Sequence, residues 1–474
     1  MTTLITARNV PVDDPMAYTS SQVIGGTHRV AVTSGPCRRA KMSCMVRTTT
    51  DRYRRGRGRG GQRGATVHDH GMTPSRRAGG PRTGVRRRTA VALGLLAGLT
   101  ISFLPSPGDA APGAWSPTGK LATARRSHAA VRLPGGKVLV IGGQSSVGAL
   151  ASTEVYRPKV RNWAPAGSLI TARYRHTATL LSDGRVLVVG GRSNSGPLSS
   201  AEVYDPADRT FSAAGTLTTG PRYWHTATLL EDGRVLVAGG LTGREVAFGN
   251  SGIRGELVSL QTAEVWSPST GLFTAVGPLG DARDSHSATL LADGKVLVAG
   301  GYSVSSAEVF DPASSTWSTT GAMSVPRLDH TSSRLADGTV LVAGGTSPGG
   351  CCPTGSAERY DPGTGTWSPA EPMASPRAGH SATLLTSPSC TSNEPPPWCG
   401  RVLVAGGFSV AAGAATSQVF DAATGTWGST ALLGMARGGH VATLLKKGGK
   451  VLVTGGDGGE GPLRSAEIFA PPIE

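Results

Sequence analysis

The sequence predicts an all-β fold, a seven-bladed β-propeller of four-stranded antiparallel sheets, and three observations predict it. An R-x-x-H element recurs seven times, at Arg125/His128, Arg173/His176, Arg222/His225, Arg283/His286, Arg327/His330, Arg377/His380 and Arg437/His440. Each copy leads into an apolar V-L-V run and a glycine pair, such as Gly190 and Gly191. An aromatic follows each pair, and in six copies a second comes seven residues later, as in Tyr204 and Phe211. Units of about 50 residues made of short strands cannot bury both sheet faces alone, so they must stack around an axis.

Composition excludes several classes. The 474 residues include 68 Gly without a third-residue period, which rules out collagen, and 38% hydrophobic with 16% charged residues rules out wholesale disorder. The formal charge of +16 is concentrated at one end: residues 1–111 hold 18 Lys or Arg and 5 Asp, a net of +13, leaving +3 for the rest. A near-neutral domain carries no electrostatic footprint for nucleic acid, so no nucleic-acid partner is expected.

In chain order, residues 1–71 read as disordered or as an over-extended start, Arg- and Gly-rich from Tyr53 to Gly64 and without apolar periodicity. Residues 72–111 read as a basic leader and signal peptide. Met72 to Arg88 carries six Arg and no acid, and Ala90 to Leu104 is an apolar run of 15 residues, short of the roughly 20 that span a bilayer. Small residues Gly108 and Ala110 suit cleavage near Ala110 or Ala111. Arg87-Arg88 leaves the general and the twin-arginine export routes both open. A secreted or extracytoplasmic protein follows, with no stable membrane span after cleavage.

Residues 112–474 hold the propeller. HTATLL after each Arg is the inner strand, and Asp-Gly pairs such as Asp183-Gly184 supply the positive φ of a tight hairpin. The V-L-V run is the second strand, apolar throughout because both its faces are covered. AEVYDP is the third strand, and the segment around the second aromatic is the outer one. The seventh copy lacks its second aromatic, whereas Trp115 precedes Arg125 by ten residues, the spacing found in five other copies. Trp115 is therefore the missing outer strand, sealing the ring and removing both free edges.

With these gaps, the Gly-Gly, Tyr, Trp unit resembles the kelch repeat from Trp115 to Phe469. The run R-x-x-H-T-A-T-L-L-x-D-G-R-V-L-V is also similar to one in the secreted galactose oxidase and glyoxal oxidase family. That resemblance implies copper held by two His and two Tyr, one Tyr cross-linked to Cys. Here the chain departs from the pattern, because the residues before the seven His are Ser127, Arg175, Trp224, Ser285, Asp329, Gly379 and Gly439, none of them Tyr. No metal or other cofactor is therefore expected. A galactose-oxidase-like or other sugar-processing enzyme stands as the alternative to a binding module.

All seven His of the propeller sit at the repeat position, which marks Arg173, His176, Glu202, Gly190 and Gly191 and their equivalents as structural. First and third strands lie about 9.6 Å apart, a gap that Arg spans to reach the Glu of the third strand. Copy-specific features carry function instead. From second Gly to aromatic, the third copy runs 26 residues (240 to 266), and this loop, with Arg244, Phe248, Asn250 and Arg254, is expected to overhang the pore beside Tyr223 and Trp224. Cys390 and Cys399 bracket an insertion in the sixth copy and are expected to pair, while Cys351 and Cys352 stay open between a vicinal disulfide and two thiols. No catalytic motif appears. The expected function is binding of a glycan or a protein by a monomer, through the face carrying the blade 3 loop.

Overall fold

A computed structural model describes residues 113–243, 257–347, 352–409 and 413–472, together with the backbone pairs Val246–Ala247 with Ile253–Arg254 and Ser21–Ile24 with His28–Ala31. The leader and signal segment at 32–112 lies outside the described residues. No described helix is long and apolar enough to cross a membrane.

The propeller has seven four-stranded antiparallel sheets. Blade 2 is representative: Thr177–Leu180, Val186–Val189, Ser200–Asp205 and Thr210–Thr216 pair in that order. The hairpin between its first two strands has a three-residue loop, with Leu181 N–H bonded to Arg185 O and only Gly184, at φ +89°, on the positive side. The positive φ expected of the Asp-Gly pair therefore falls on the glycine alone, the pattern of a turn followed by one left-handed residue.

Second strands are buried along their whole length, as in Val186–Val189. Alternate side chains face opposite neighbours: Val186 and Val188 pack with Leu139 and Ile141 of blade 1, whereas Leu187 and Val189 pack with Val235 and Val237 of blade 3. The core is thus a circle of inter-blade layers. Each aliphatic side chain in it contributes about 1.5–3 kcal/mol by leaving water. Towards the rim, six blades pair their two aromatics at centroid distances of 4.9–5.3 Å.

The seventh sheet takes Ala114–Pro117 as its outer strand, with Trp115 opposite Phe469. Trp115 Nε1 also donates to Ser417 Oγ of blade 6 at 2.9 Å, tying the closing strand to the neighbouring sheet. Blade 6 carries the insertion, in which Cys390 and Cys399 form a disulfide across nine residues.

Candidate functional site

The R-x-x-H element builds two layers. All seven arginines are fully buried, and each Nη1 donates to the carbonyl of the first glycine of its own blade, at 2.6–3.1 Å. In five blades Nη2 meets the third-strand Glu at 2.6–2.7 Å, as in Arg173 to Glu202. In blade 3 the Arg222 to Glu264 distance is 3.5 Å, with the Thr219 hydroxyl bonded to both. The carboxylates also accept backbone N–H groups of the segment before the Arg, such as Ile170 on Glu202 at 2.7 Å. Blade 6 has Gln418 in place of Glu, and Arg377 bonds the Thr416 hydroxyl instead.

The imidazoles join one blade to the next. His225 of blade 3 lies against Gly190 of blade 2, where an added Cβ would sit 2.9 Å from its Cε1, while Gly191 leaves room for Cβ of His176 at 2.7 Å. Both glycines also hold positive φ, so the pair admits no other residue without strain. Five His Nε2 atoms bond the hydroxyl directly after the preceding blade's His, as His225 does with Thr177 at 3.0 Å. His128 uses Thr454 instead, and His176 faces a blade with Ala129 at the hydroxyl position. Burial lowers the pKa of every one of these rings, to about 3 for His176, His330 and His440, so they are neutral at physiological pH.

Between Arg and His lies the site. Ser127, Arg175, Trp224, Ser285, Asp329, Gly379 and Gly439 all take φ of 51–57°. Each donates its N–H to the carbonyl of the equivalent residue in the preceding blade at 2.9–3.4 Å, and Ser127 closes the circle onto Gly439. A left-handed conformation costs an ordinary residue about 1–2 kcal/mol, which the closed hydrogen-bonded ring offsets. This ring rims the central pore on the face where second-to-third-strand connections start, since Tyr174 bridges Arg192 and Tyr223 bridges Leu241. On blades 1 to 3 the connections rise as extra hairpins, such as Arg192–Ser193 with Gly196–Pro197.

Side chains on the ring differ from blade to blade. The Arg175 guanidinium lies 3.8 Å over the Trp224 ring, and Trp224 packs on Tyr223, Leu241 and Leu257. Across the ring, Asp329 is half-buried with its pKa raised to about 6 by desolvation; Arg175 opposes the shift and Asp284 adds to it. Asp284 is buried, also raised by desolvation, and accepts the hydroxyls of Ser259 at 2.6 Å and Ser285 at 3.2 Å.

Of the residues the sequence singled out, Trp224 stands at the mouth and Tyr223 lies fully buried beneath it. Arg244, Phe248 and Asn250 lie outside the described residues, and Arg254 contributes only a described backbone in a two-residue strand. Sequence reasoning passed over Arg175, Asp284 and Asp329 as site residues. The signal was available: the two positions between the fixed Arg and His change character from copy to copy.

The Kelch motif model matches residues 125–170, 173–218 and 330–374. Three blades thus carry the Kelch motif, and the four unmatched copies form the same four-stranded sheet in a seven-bladed β-propeller. A solved structure described as a novel fungal alcohol oxidase with catalytic diversity among the AA5 family, in complex with copper, superposes with a TM-score of 0.60 over 76% of each chain, at 18% identity. At that identity the likeness is one of fold. No curated protein matches the chain. Among the described residues no group of three or more His, Cys, Asp or Glu is placed to share a metal, and six imidazoles have Nε2 bonded to hydroxyls.

Proposed function

We propose that this propeller is an extracytoplasmic binding module that takes a glycan at the pore mouth, on the face carrying the blade 3 connection. One observation carries the reading. At seven equivalent left-handed positions the fold fixes the backbone, yet the side chains run Ser, Arg, Trp, Ser, Asp, Gly and Gly. Propeller stability does not need that assortment, since glycine serves at two of the positions. Together they place an aromatic, a cation and a carboxylate on one backbone ring, the mixture that suits a polyhydroxylated ligand. The disulfide between Cys390 and Cys399 supports an oxidising compartment.

The test is calorimetric titration of the full chain with a panel of soluble oligosaccharides, repeated with Asp329→Ala. Saturable binding to at least one glycan, lost in the variant at unchanged melting temperature, is the expected result. Binding that the variant leaves intact, or no glycan binding alongside stoichiometric capture of a protein, would overturn the assignment.

A further inference from the structure

Among the described residues, two side chains at the pore mouth make no hydrogen bond or ion pair, although the Arg175 charge reaches the Asp329 carboxyl and opposes its shift. The Arg175 guanidinium makes neither a hydrogen bond nor an ion pair; its contacts are the faces of Trp224 at 3.8 Å and Tyr174 at 5.5 Å. Stacking of this kind fixes the plane of a guanidinium while leaving its five N–H donors free at the edge. The Asp329 carboxylate likewise accepts no hydrogen bond, although its own N–H and carbonyl belong to the backbone ring. By contrast Arg173, two residues earlier, is fully buried and makes five hydrogen bonds. A stacked cation and a carboxylate thus stand on one hydrogen-bonded backbone ring, both at the mouth.

Their placement defines a span. Arg175 is on blade 2 and Asp329 on blade 5, separated along the ring by Trp224 and Ser285 on one side and by Gly379, Gly439 and Ser127 on the other. The two do not form an ion pair with each other. On the glycine side the Phe408 ring lies beside the backbone, 3.1 Å from a Cβ placed on Gly379 and 3.9 Å from one placed on Gly439. A ligand bridging the span must offer an acceptor with two parallel lone pairs to the guanidinium edge and hydroxyls to the carboxyl opposite. A carboxylate meets the first requirement best, because its two oxygens match the arginine fork.

We propose that the pore mouth recognises an acidic sugar, a uronic-acid residue whose carboxylate is held by Arg175 and whose ring hydroxyls are held by Asp329. This deepens the glycan-binding reading and rests on it. A hydroxyl suits Asp329 better than an ammonium group does, since a carboxyl that burial drives towards its neutral form serves as both donor and acceptor.

The test is titration of the full chain with trigalacturonate, its methyl ester and the neutral galactotriose, using wild type and Arg175→Gln. Arg175→Gln keeps a planar side chain over Trp224, and its melting temperature is measured alongside to confirm folding. Wild type is expected to bind the acid about 10- to 100-fold more tightly than the ester or the neutral sugar, and Arg175→Gln to erase that preference. Equal affinity for all three sugars would overturn the acidic specificity and leave the glycan reading standing. A preference that survives in a folded Arg175→Gln would overturn the role of Arg175. Absence of binding to all three and to the wider oligosaccharide panel would overturn the glycan reading itself.

Discussion

Six of the seven buried arginines face a glutamate, and the seventh, Arg377, faces Gln418, whose Oε1 has no hydrogen-bond partner. Desolvation without a neighbouring carboxylate lowers the Arg377 pKa to about 10, so the group stays charged at neutral pH and is buried with its charge uncompensated. Restoring the carboxylate fills a site that the other blades have already shaped for it. Gln418→Glu is therefore expected to raise stability by about 2 kcal/mol, and Glu202→Gln in blade 2 to lower it by about 3 kcal/mol, both read from denaturant midpoints at pH 7.5. A Gln418→Glu variant no more stable than wild type would show that the carbonyl and hydroxyl acceptors around Arg377 already suffice. The Arg-to-Glu reach was legible in the sequence because both residues repeat in phase in six blades. The left-handed ring was harder to read, since Ser127, Arg175, Trp224 and Asp329 are not residues that announce positive φ. Gly379 and Gly439 at the same position were the only local hint.

At the scale of elements, strand order followed from spacing, and the longer His-to-Gly gap in blade 6 (380 to 406) located the insertion. Spacing gives no information on where an insertion folds back. Trp398, inside it, is buried among Leu385, Leu403, Val451 and Phe469, the last two belonging to blade 7. A Cβ on Gly449, in the first hairpin turn of blade 7, would come within 2.4 Å of the Trp398 ring. The insertion therefore plugs the seam beside the sheet that the N-terminal strand completes, and the Cys390–Cys399 disulfide holds the plug in place. Trp398→Ala is expected to cost about 3–5 kcal/mol, the usual loss for a buried aromatic, with reduction of the disulfide lowering the melting temperature in wild type. If the variant melts with wild type, the insertion is only a passenger on the seam.

Over the whole molecule, the ring of seven neutral imidazoles makes stability a collective function of pH. In the unfolded chain each His titrates near 6.5. In the folded protein all seven are lowered by burial, to about 3 where a value is fixed, so between those limits the unfolded state holds more protons. Stability must then fall as pH falls below 6.5, each ring contributing about 1.4 kcal/mol per pH unit at full slope. Asp329 has the opposite sign: raised to about 6 in the fold, it stabilises below the unfolded carboxylate range, and that gain is lost as pH rises through 6. Asp284 shifts in the same direction, so the two acids offset a minority of the seven rings. The melting temperature is expected to drop between pH 7.5 and pH 5 by on the order of 10 °C or more, with the steepest fall below pH 6. No single His governs the effect, because each ring bridges two blades and the ring closes on itself through Trp115 and Phe469. A melting temperature that stays level from pH 7.5 to pH 5 would mean that the imidazoles protonate in place, and the inter-blade hydroxyl bonds would then have to be donated by charged rings.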